Sequence, residues 1–324
     1  MKIVFMGTPD FSRESLEKLY NDGLDIVAVV TTPDRPAGRG MKMVSSPVKD
    51  FAVEKGLKLF QPEKISKNDE FKDAIKALEP DLVVVVSYGI ILPKSFLNIP
   101  KLGAINVHPS MLPKYRGPAP IQWAIINGDS STGVTIMYLN EQMDAGDLIV
   151  QQEVEIDKDE TTGDLWNRLS KIGADLLLDS VHKIEKGTAP RTVQPEEYTL
   201  APMLDKTLSK IDWENKTALE IKNLIRGLNP IMGCYSVLDG KKIKLWKVDV
   251  VSKENFESYV QNNKALKPDE KYGKVLLAND KLGLFINANG GIISCIEVQG
   301  ENAKKMDVKD FLRGNKIEAG SILE

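Results

Sequence analysis

Leu82-Val83-Val84-Val85-Val86 is the stretch that decides the fold of this chain. Four β-branched valines behind a leucine favour an extended backbone, and the run leaves neither face of the strand polar. A strand apolar on both faces needs cover on both, which is the situation of a central strand in a parallel sheet flanked by crossover helices. The surroundings agree. Residues 2–6 and 26–30 read as short strands, 57–60 as a third, and 104–107, 133–139 and 148–156 as later ones, separated by longer periodic segments. The segment after 2–6 has Pro9 at its start, acids at Asp10 and Glu14, and Leu16 and Leu19 on one face, as a helix start should. Residues 162–186 read as a further helix. The expected class is α/β, a doubly wound and mostly parallel open sheet.

Between 189 and 208 the periodicity lapses around Pro190, Pro195 and Pro202, so a linker is placed at 190–208 between a first domain, 1–189, and a second, 209–324. The second domain opens with an amphipathic helix whose apolar residues are Leu219, Ile221, Leu224, Ile225 and Leu228, ending at Asn229-Pro230. Turn signals then come close together at Asp239-Gly240, Asn279-Asp280 and within 287–291. Hairpin strands so closely spaced predict a small β-barrel.

A chain of 324 residues with 42% hydrophobic and 27% charged residues excludes disorder and fibrous repeats. Two cysteines, Cys234 and Cys295, are too few for a disulfide framework, which points to a reducing compartment. No stretch approaches the roughly 18 apolar residues of a membrane span, and the N-terminal apolar run is too short for a signal-peptide core, so the expected location is cytoplasmic. The net charge of −3 speaks at first against a nucleic-acid partner. That total hides an asymmetry, because 1–208 holds 24 basic against 30 acidic residues while 209–324 holds 19 against 16. The acidic total therefore excludes nothing.

Several chemistries can be set aside. Gly7-Thr8-Pro9-Asp10 follows the first strand without the further glycines of a dinucleotide fingerprint or the Lys-Ser/Thr of a phosphate loop. With only His108 and His182, and cysteines far apart, no metal is expected. The informative stretch is Asn106-Val107-His108-Pro109-Ser110-Met111-Leu112-Pro113-Lys114-Tyr115-Arg116-Gly117, continuing to Gln122. Asn106 and His108 are two apart at a strand end, so both side chains face the same way. In an open α/β sheet that strand end borders the ligand crevice, and an amide with an imidazole suits an oxyanion. The plainer use of such a pair is to satisfy local backbone groups. Asp144, before Ala145-Gly146 in a turn-rich loop, is by itself a turn former as readily as a catalytic acid. Taken together, an Asn, a His and an Asp at strand ends of one sheet make an acyl-transfer site that needs no covalent nucleophile.

These residues carry a resemblance. The chain resembles the folate-dependent formyltransferases in 5–11, 32–40, 88–93, 106–122 and 144–147, and, in the second domain, in Ile211-Asp212-Trp213 and 225–230. Within that group it is similar to the branch that uses a charged tRNA. The resemblance implies a Rossmann-like catalytic domain, an OB-like tRNA-binding domain, and the catalytic set Asn106, His108 and Asp144. It implies 10-formyltetrahydrofolate as co-substrate, held by Tyr88, Ile90, Leu92, Ser110, Met111, Leu112 and Pro113, with Ile91 read as ordinary core. The implied acceptor is the α-amino group of initiator methionyl-tRNA, whose acceptor stem the loop at 31–50 would meet with Arg35, Arg39 and Lys42; in the second domain Lys241, Lys242, Lys244 and Lys247 interleave with Trp246 as on an RNA-facing strand, with Lys244 and Lys247 the expected tRNA contacts. Alternating lysines of this kind equally suit a merely soluble strand face. A monomer is expected, with no membrane partner. The departures are small: Met41, Met111, Pro118, Met143 and Ala145 stand where the family usually has other residues, and Ile231-Met232 stands where Trp-Pro is frequent. The rivals are a hydrolase of the same folate, a formyltransferase acting on another amine, and a non-catalytic RNA-binding protein.

Overall fold

A computed structural model describes residues 1–37, 41–260 and 265–324. The chain divides into two compact units, the first comprising Met1–Pro120, Ser131–Glu155 and Leu165–Pro202, the second Ile121–Ser130, Ile156–Asp164 and Met203–Glu324.

In chain order the elements are β1 (Lys2–Gly7), α1 (Asp10–Asn21), β2 (Asp25–Val30), β3 (Arg35–Ala37), β4 (Lys42–Val44), α2 (Pro47–Glu54), β5 (Leu59–Phe60), α3 (Asp69–Lys76), β6 (Leu82–Val86), α4 (Lys94–Leu97) and β7 (Ala104–His108). They are followed by α5 (Pro120–Ile126), β8 (Ser131–Tyr138), β9 (Leu148–Glu155) and α6 (Thr162–Glu185). Seven strands form one sheet in the order β5-β2-β1-β6-β7-β8-β9. Pairing is parallel from β5 to β7 and antiparallel from β7 to β9. The valine run is β6, buried throughout and flanked by β1 and β7. Val83 and Val85 point to one face, where Met6, Ile75, Tyr88 and Phe96 close over them. From β1 the chain adds β2 and β5 on one side, then crosses to lay β6 on the other, so the sheet winds both ways from the middle and has its switch point between β1 and β6.

Two local expectations change. The third strand is only Leu59–Phe60. The stretch 31–50, read as one open loop, holds a hairpin in which Arg35 pairs with Val44 and Ala37 with Lys42. It ends early because Ser46 caps α2, its side chain accepting from the Lys49 N–H at 3.0 Å. The proline-rich stretch at 190–202 runs within the first unit, with bridges from Thr192 to Leu148 and from Leu200 to Arg116.

The second unit contains α7 (Ala218–Gly227), β10 (Cys234–Leu238), β11 (Lys241–Val251), α8 (Lys253–Tyr259), β12 (Val275–Asn279), β13 (Gly283–Ala288), β14 (Gly291–Gly300), β15 (Met306–Asp307) and α9 (Val308–Gly314). Its antiparallel sheet runs β10-β11-β14-β13-β12, with β15 on β14. Residues 320–324 bond to Val237 in β10 and to Val275 in β12, so main-chain hydrogen bonding continues between the two edge strands. This is the small barrel expected. Helix α7 starts in a capping box of Thr217 with Glu220 and buries Ile221, Leu224 and Ile225 against Leu245, Leu284, Ile286 and Ile293. Leu219 is a correction: it is 61% exposed, because a residue two short of Ile221 lies about 200° around the helix from it.

Candidate active site

Asn106 and His108 both lie in β7, as the period of two requires. His108 is only 4% exposed. Its Nε2 stands 2.9 Å from the Tyr115 carbonyl, which fixes the ring, and its Nδ1 faces Asp144 Oδ1 at 3.7 Å. The Asn106 side chain is half-buried and makes no hydrogen bond among the described residues.

Asp144 arrives by another route than a strand end at the crevice. Because β8 is antiparallel to β7, its last residue, Tyr138, lies opposite Ile105, level with the start of β7. The connection at 139–147 must turn back to bring the carboxylate to His108. It does so through a positive φ of 50° at Asp144 and a close approach at Gly146, where a β-carbon would stand 1.8 Å from the Tyr138 carbonyl oxygen. The Asp144 side chain accepts from the Gly117 N–H through Oδ2 at 2.9 Å, so one oxygen is held by main chain while the other faces the imidazole.

Sequence reasoning missed the residues that support this pair. Gln194 donates from Nε2 to the carbonyls of Asp144, 3.0 Å, and Gly146, 2.8 Å, and accepts from Arg116 Nη2 at 2.7 Å. Thr199 accepts the Tyr115 N–H on its hydroxyl at 2.8 Å, which steadies the carbonyl bonded to His108. Beneath the 110–113 turn, Thr135 donates to the Ser110 carbonyl at 2.6 Å, and Gln151 donates to the Leu112 carbonyl at 2.8 Å. Arg116 and Gly117 stood in the quoted motif. Gln194 and Thr199 stood in a stretch with no periodicity, where nothing marked them.

Of the residues expected to hold the folate, Tyr88 and Leu92 lie in the apolar cluster around β6, and Ile90 packs against it. Burial pushes the Tyr88 phenol up to about 12, and its hydroxyl is buried without a partner among the described residues. Ile91 is not core: it is 81% exposed, its neighbours having taken the inward positions. Ser110 is buried and donates to the Lys114 carbonyl at 2.6 Å. Met111 packs on Gly133, and Leu112 joins Met137 and Leu148 in a separate cluster, with Pro113 after it. The two runs therefore belong to different apolar clusters of the same unit.

Among the basic residues, Arg35 and Lys42 are exposed on the β3–β4 hairpin, and Arg39 lies outside the described residues. Lys49 is bonded to Asp34 at 2.6 Å. That bond, with another from Gln61, holds the Asp34 carboxyl below its usual range. In β11 a register shift around Lys247 leaves Lys247 exposed, and Lys244 lies over the Trp246 ring at 5.2 Å while donating to the Met232 carbonyl. Lys305 lies over the same ring at 5.5 Å. Cys234 is buried, which pushes its thiol up to about 12, and Cys295 is raised further, so neither suits a nucleophile. No cluster of three metal-ligating side chains occurs among the described residues.

Two family models match the chain. A family model described as formyl transferase matches residues 1–181, and one for the formyl transferase C-terminal domain matches 203–316. The chain is 42% identical over 325 residues to a methionyl-tRNA formyltransferase of Caldanaerobacter subterraneus, covering 100% of each chain. It is 44% identical over 327 residues to one of Clostridioides difficile, again covering 100% of each. A crystal structure of an N-formyltransferase from Helicobacter canadensis, in complex with folinic acid and dTDP-3-aminofucose, matches with a TM-score of 0.67 at 19% identity, covering 93% of this chain and 100% of that one. At that identity the likeness concerns the fold.

Proposed function

The chain belongs to the formyltransferase family, among its methionyl-tRNA formyltransferases, and from that premise we propose that Asn106, His108 and Asp144 carry formyl transfer from 10-formyltetrahydrofolate to the α-amino group of initiator methionyl-tRNA. The folate supplies an activated formyl carbon. An α-amino group has a pKa of roughly 7.7–8.0, so a useful fraction of the acceptor is neutral near pH 7 and no strong base is needed to begin. The barrier lies in the charge that develops on the formyl oxygen and in the proton that must leave the amine. Asn106 donates its free amide N–H to that oxygen, a contribution of about 2.7–4 kcal/mol for donors of this type. His108, its ring held by the Tyr115 carbonyl, and Asp144, held by the Gly117 N–H, hold the amine's proton between them and return it to the departing nitrogen. At 3.7 Å the pair stands a small movement away from a hydrogen bond, the kind of contact that tightens on substrate binding in acid–base sites.

The observation that carries this reading is the Asn106 amide, unpartnered among the described residues, on the same strand face as an imidazole that itself faces a carboxylate. The main chain around Tyr88, Ile90 and Leu92, with Ser110, Met111, Leu112 and Pro113, holds the folate. Arg35, Lys42, Lys244 and Lys247 track tRNA phosphates. The enzyme works as a monomer in the cytoplasm, a setting that suits two free, buried thiols. The test is to supply 10-formyltetrahydrofolate with charged initiator tRNA and to measure formylmethionyl-tRNA. Formylation that His108→Ala and Asp144→Ala each reduce by orders of magnitude, with little change in tRNA affinity, supports the reading. Formate released as readily without tRNA makes the chain a hydrolase, and full activity in both variants removes the mechanism.

A further inference from the structure

We propose that Gln194, in the stretch between the two matched family domains, is a positioning residue for formyl transfer, setting the place of the Asp144 carboxylate. The inference rests on the reading of Asp144 given above. Asp144 sits at φ 50°, in the left-handed region that an aspartate can adopt in a turn, and its carboxylate faces His108 from there. What holds it is the Gln194 amide, with 8% exposure and every polar position committed. Both Nε2 hydrogens are used, one on the Asp144 carbonyl and one on the Gly146 carbonyl, at 3.0 and 2.8 Å. Oε1 accepts from Arg116 Nε and Nη2 at 3.1 and 2.7 Å.

The other end of this linkage returns to the carboxylate. Arg116 donates its N–H to the Thr199 carbonyl and accepts on its own carbonyl from the Ala201 N–H, both at 2.8 Å. The next residue, Gly117, gives its N–H to Asp144 Oδ2. There is no room for a side chain there, since a β-carbon on Gly117 would stand 2.7 Å from the Ala201 carbonyl oxygen. The segment 194–201 thus grips Asp144 twice, through its backbone by Gln194 and through its side chain by Arg116-Gly117. Only an amide meets both demands on residue 194, with an acceptor toward the guanidinium and a two-hydrogen donor toward the carbonyls.

Gln194→Glu separates the two halves. It keeps the acceptor for Arg116 and replaces the donor by an oxygen that repels the Asp144 and Gly146 carbonyls. We expect kcat to fall about ten- to a hundredfold, the scale of a displaced catalytic group. The KM values for folate and charged tRNA should stay within about threefold and the melting temperature within a few degrees. Added to Asp144→Asn, the substitution should cost no more than about a further twofold, because it acts through that carboxylate. Gln194→Met, which fills the same space without hydrogen bonds, carries the same kcat expectation if the glutamate variant does not fold. A Gln194→Glu or Gln194→Met enzyme with kcat within twofold of the parent overturns the proposal. So does full rescue by glutamate of a defect seen in Gln194→Met, because Gln194 would then only brace Arg116. An Asp144→Ala enzyme that remains active in the same assay instead removes the reading of the site on which the inference rests.

Discussion

His108 and Gln194 of the first unit are buried and bonded, whereas the lysines of β11 in the second unit lie toward the surface. His108 and Gln194 are nearly inaccessible, and each ring or amide nitrogen faces a named partner. Lys241, Lys242 and Lys247 of β11 are exposed. Lys242 and Lys244 rest over Tyr235 and Trp246 at 4.5 and 5.2 Å. The contrast separates two kinds of work. A buried hydrogen-bonded group is worth its position, and a small displacement removes its effect. An exposed cation is worth its charge, which tolerates movement, adds approximately with its neighbours and fades in salt.

The first way to break this contrast is Asn106→Ala. It should lower kcat by about 10²–10³, equivalent to about 2.7–4 kcal/mol, with tRNA binding unchanged, as measured by steady-state formylation and filter binding. A loss confined to KM would make Asn106 a binding residue and blur the distinction between the units. Next comes the core of the barrel. Ile286→Ala, at a fully buried position on β13, should cost about 2–5 kcal/mol of stability in urea unfolding, while kcat per folded molecule holds.

Smaller effects belong to the exposed cations. Lys242→Ala and Lys247→Ala should each weaken tRNA binding a few-fold, flatten its dependence on log salt by about one charge, and leave kcat alone. If the salt slope does not move, these lysines only keep the strand soluble. The smallest effect concerns the thiols. Burial holds Cys234 protonated up to about 12, while an unfolded thiol ionises near about 8.5. The folded-state value is the higher one, so the stability linked to this group is whole below the unfolded value and is lost as pH rises from there toward 12. A thiol reagent at pH 8 should therefore label Cys234 and Cys295 only as fast as the chain unfolds.

The two units also differed in how far the amino-acid sequence disclosed them. An unbroken apolar run disclosed β6 and closely spaced turn signals disclosed the barrel hairpins, because each leaves a mark that can be counted along the chain. The same counting placed Asn106 and His108 on one face. It did not foresee that Asp144 would reach them from the far end of an antiparallel strand, since strand direction leaves no mark in composition. Gln194 and Thr199 were invisible for a sharper reason. Much of their segment is fixed by main-chain bonds, which a wide range of side chains permits, and a lone amide among prolines has no pattern to stand out from. Leu219 and Ile91 err in the opposite direction, as apolar side chains that hydrophobicity assigns to a core and geometry turns outward.

If buried position at His108 drives the chemistry and exposed charge elsewhere binds the tRNA, rate and affinity must separate in one variant. Single-turnover formylation of charged initiator tRNA by His108→Ala, with tRNA affinity measured on the same preparation, tests it most directly. The expected rate is at least about a hundredfold below the parent's with affinity within about twofold, on the scale of losing a general acid–base group. A rate close to the parent's, or a loss that disappears at saturating tRNA, would contradict it.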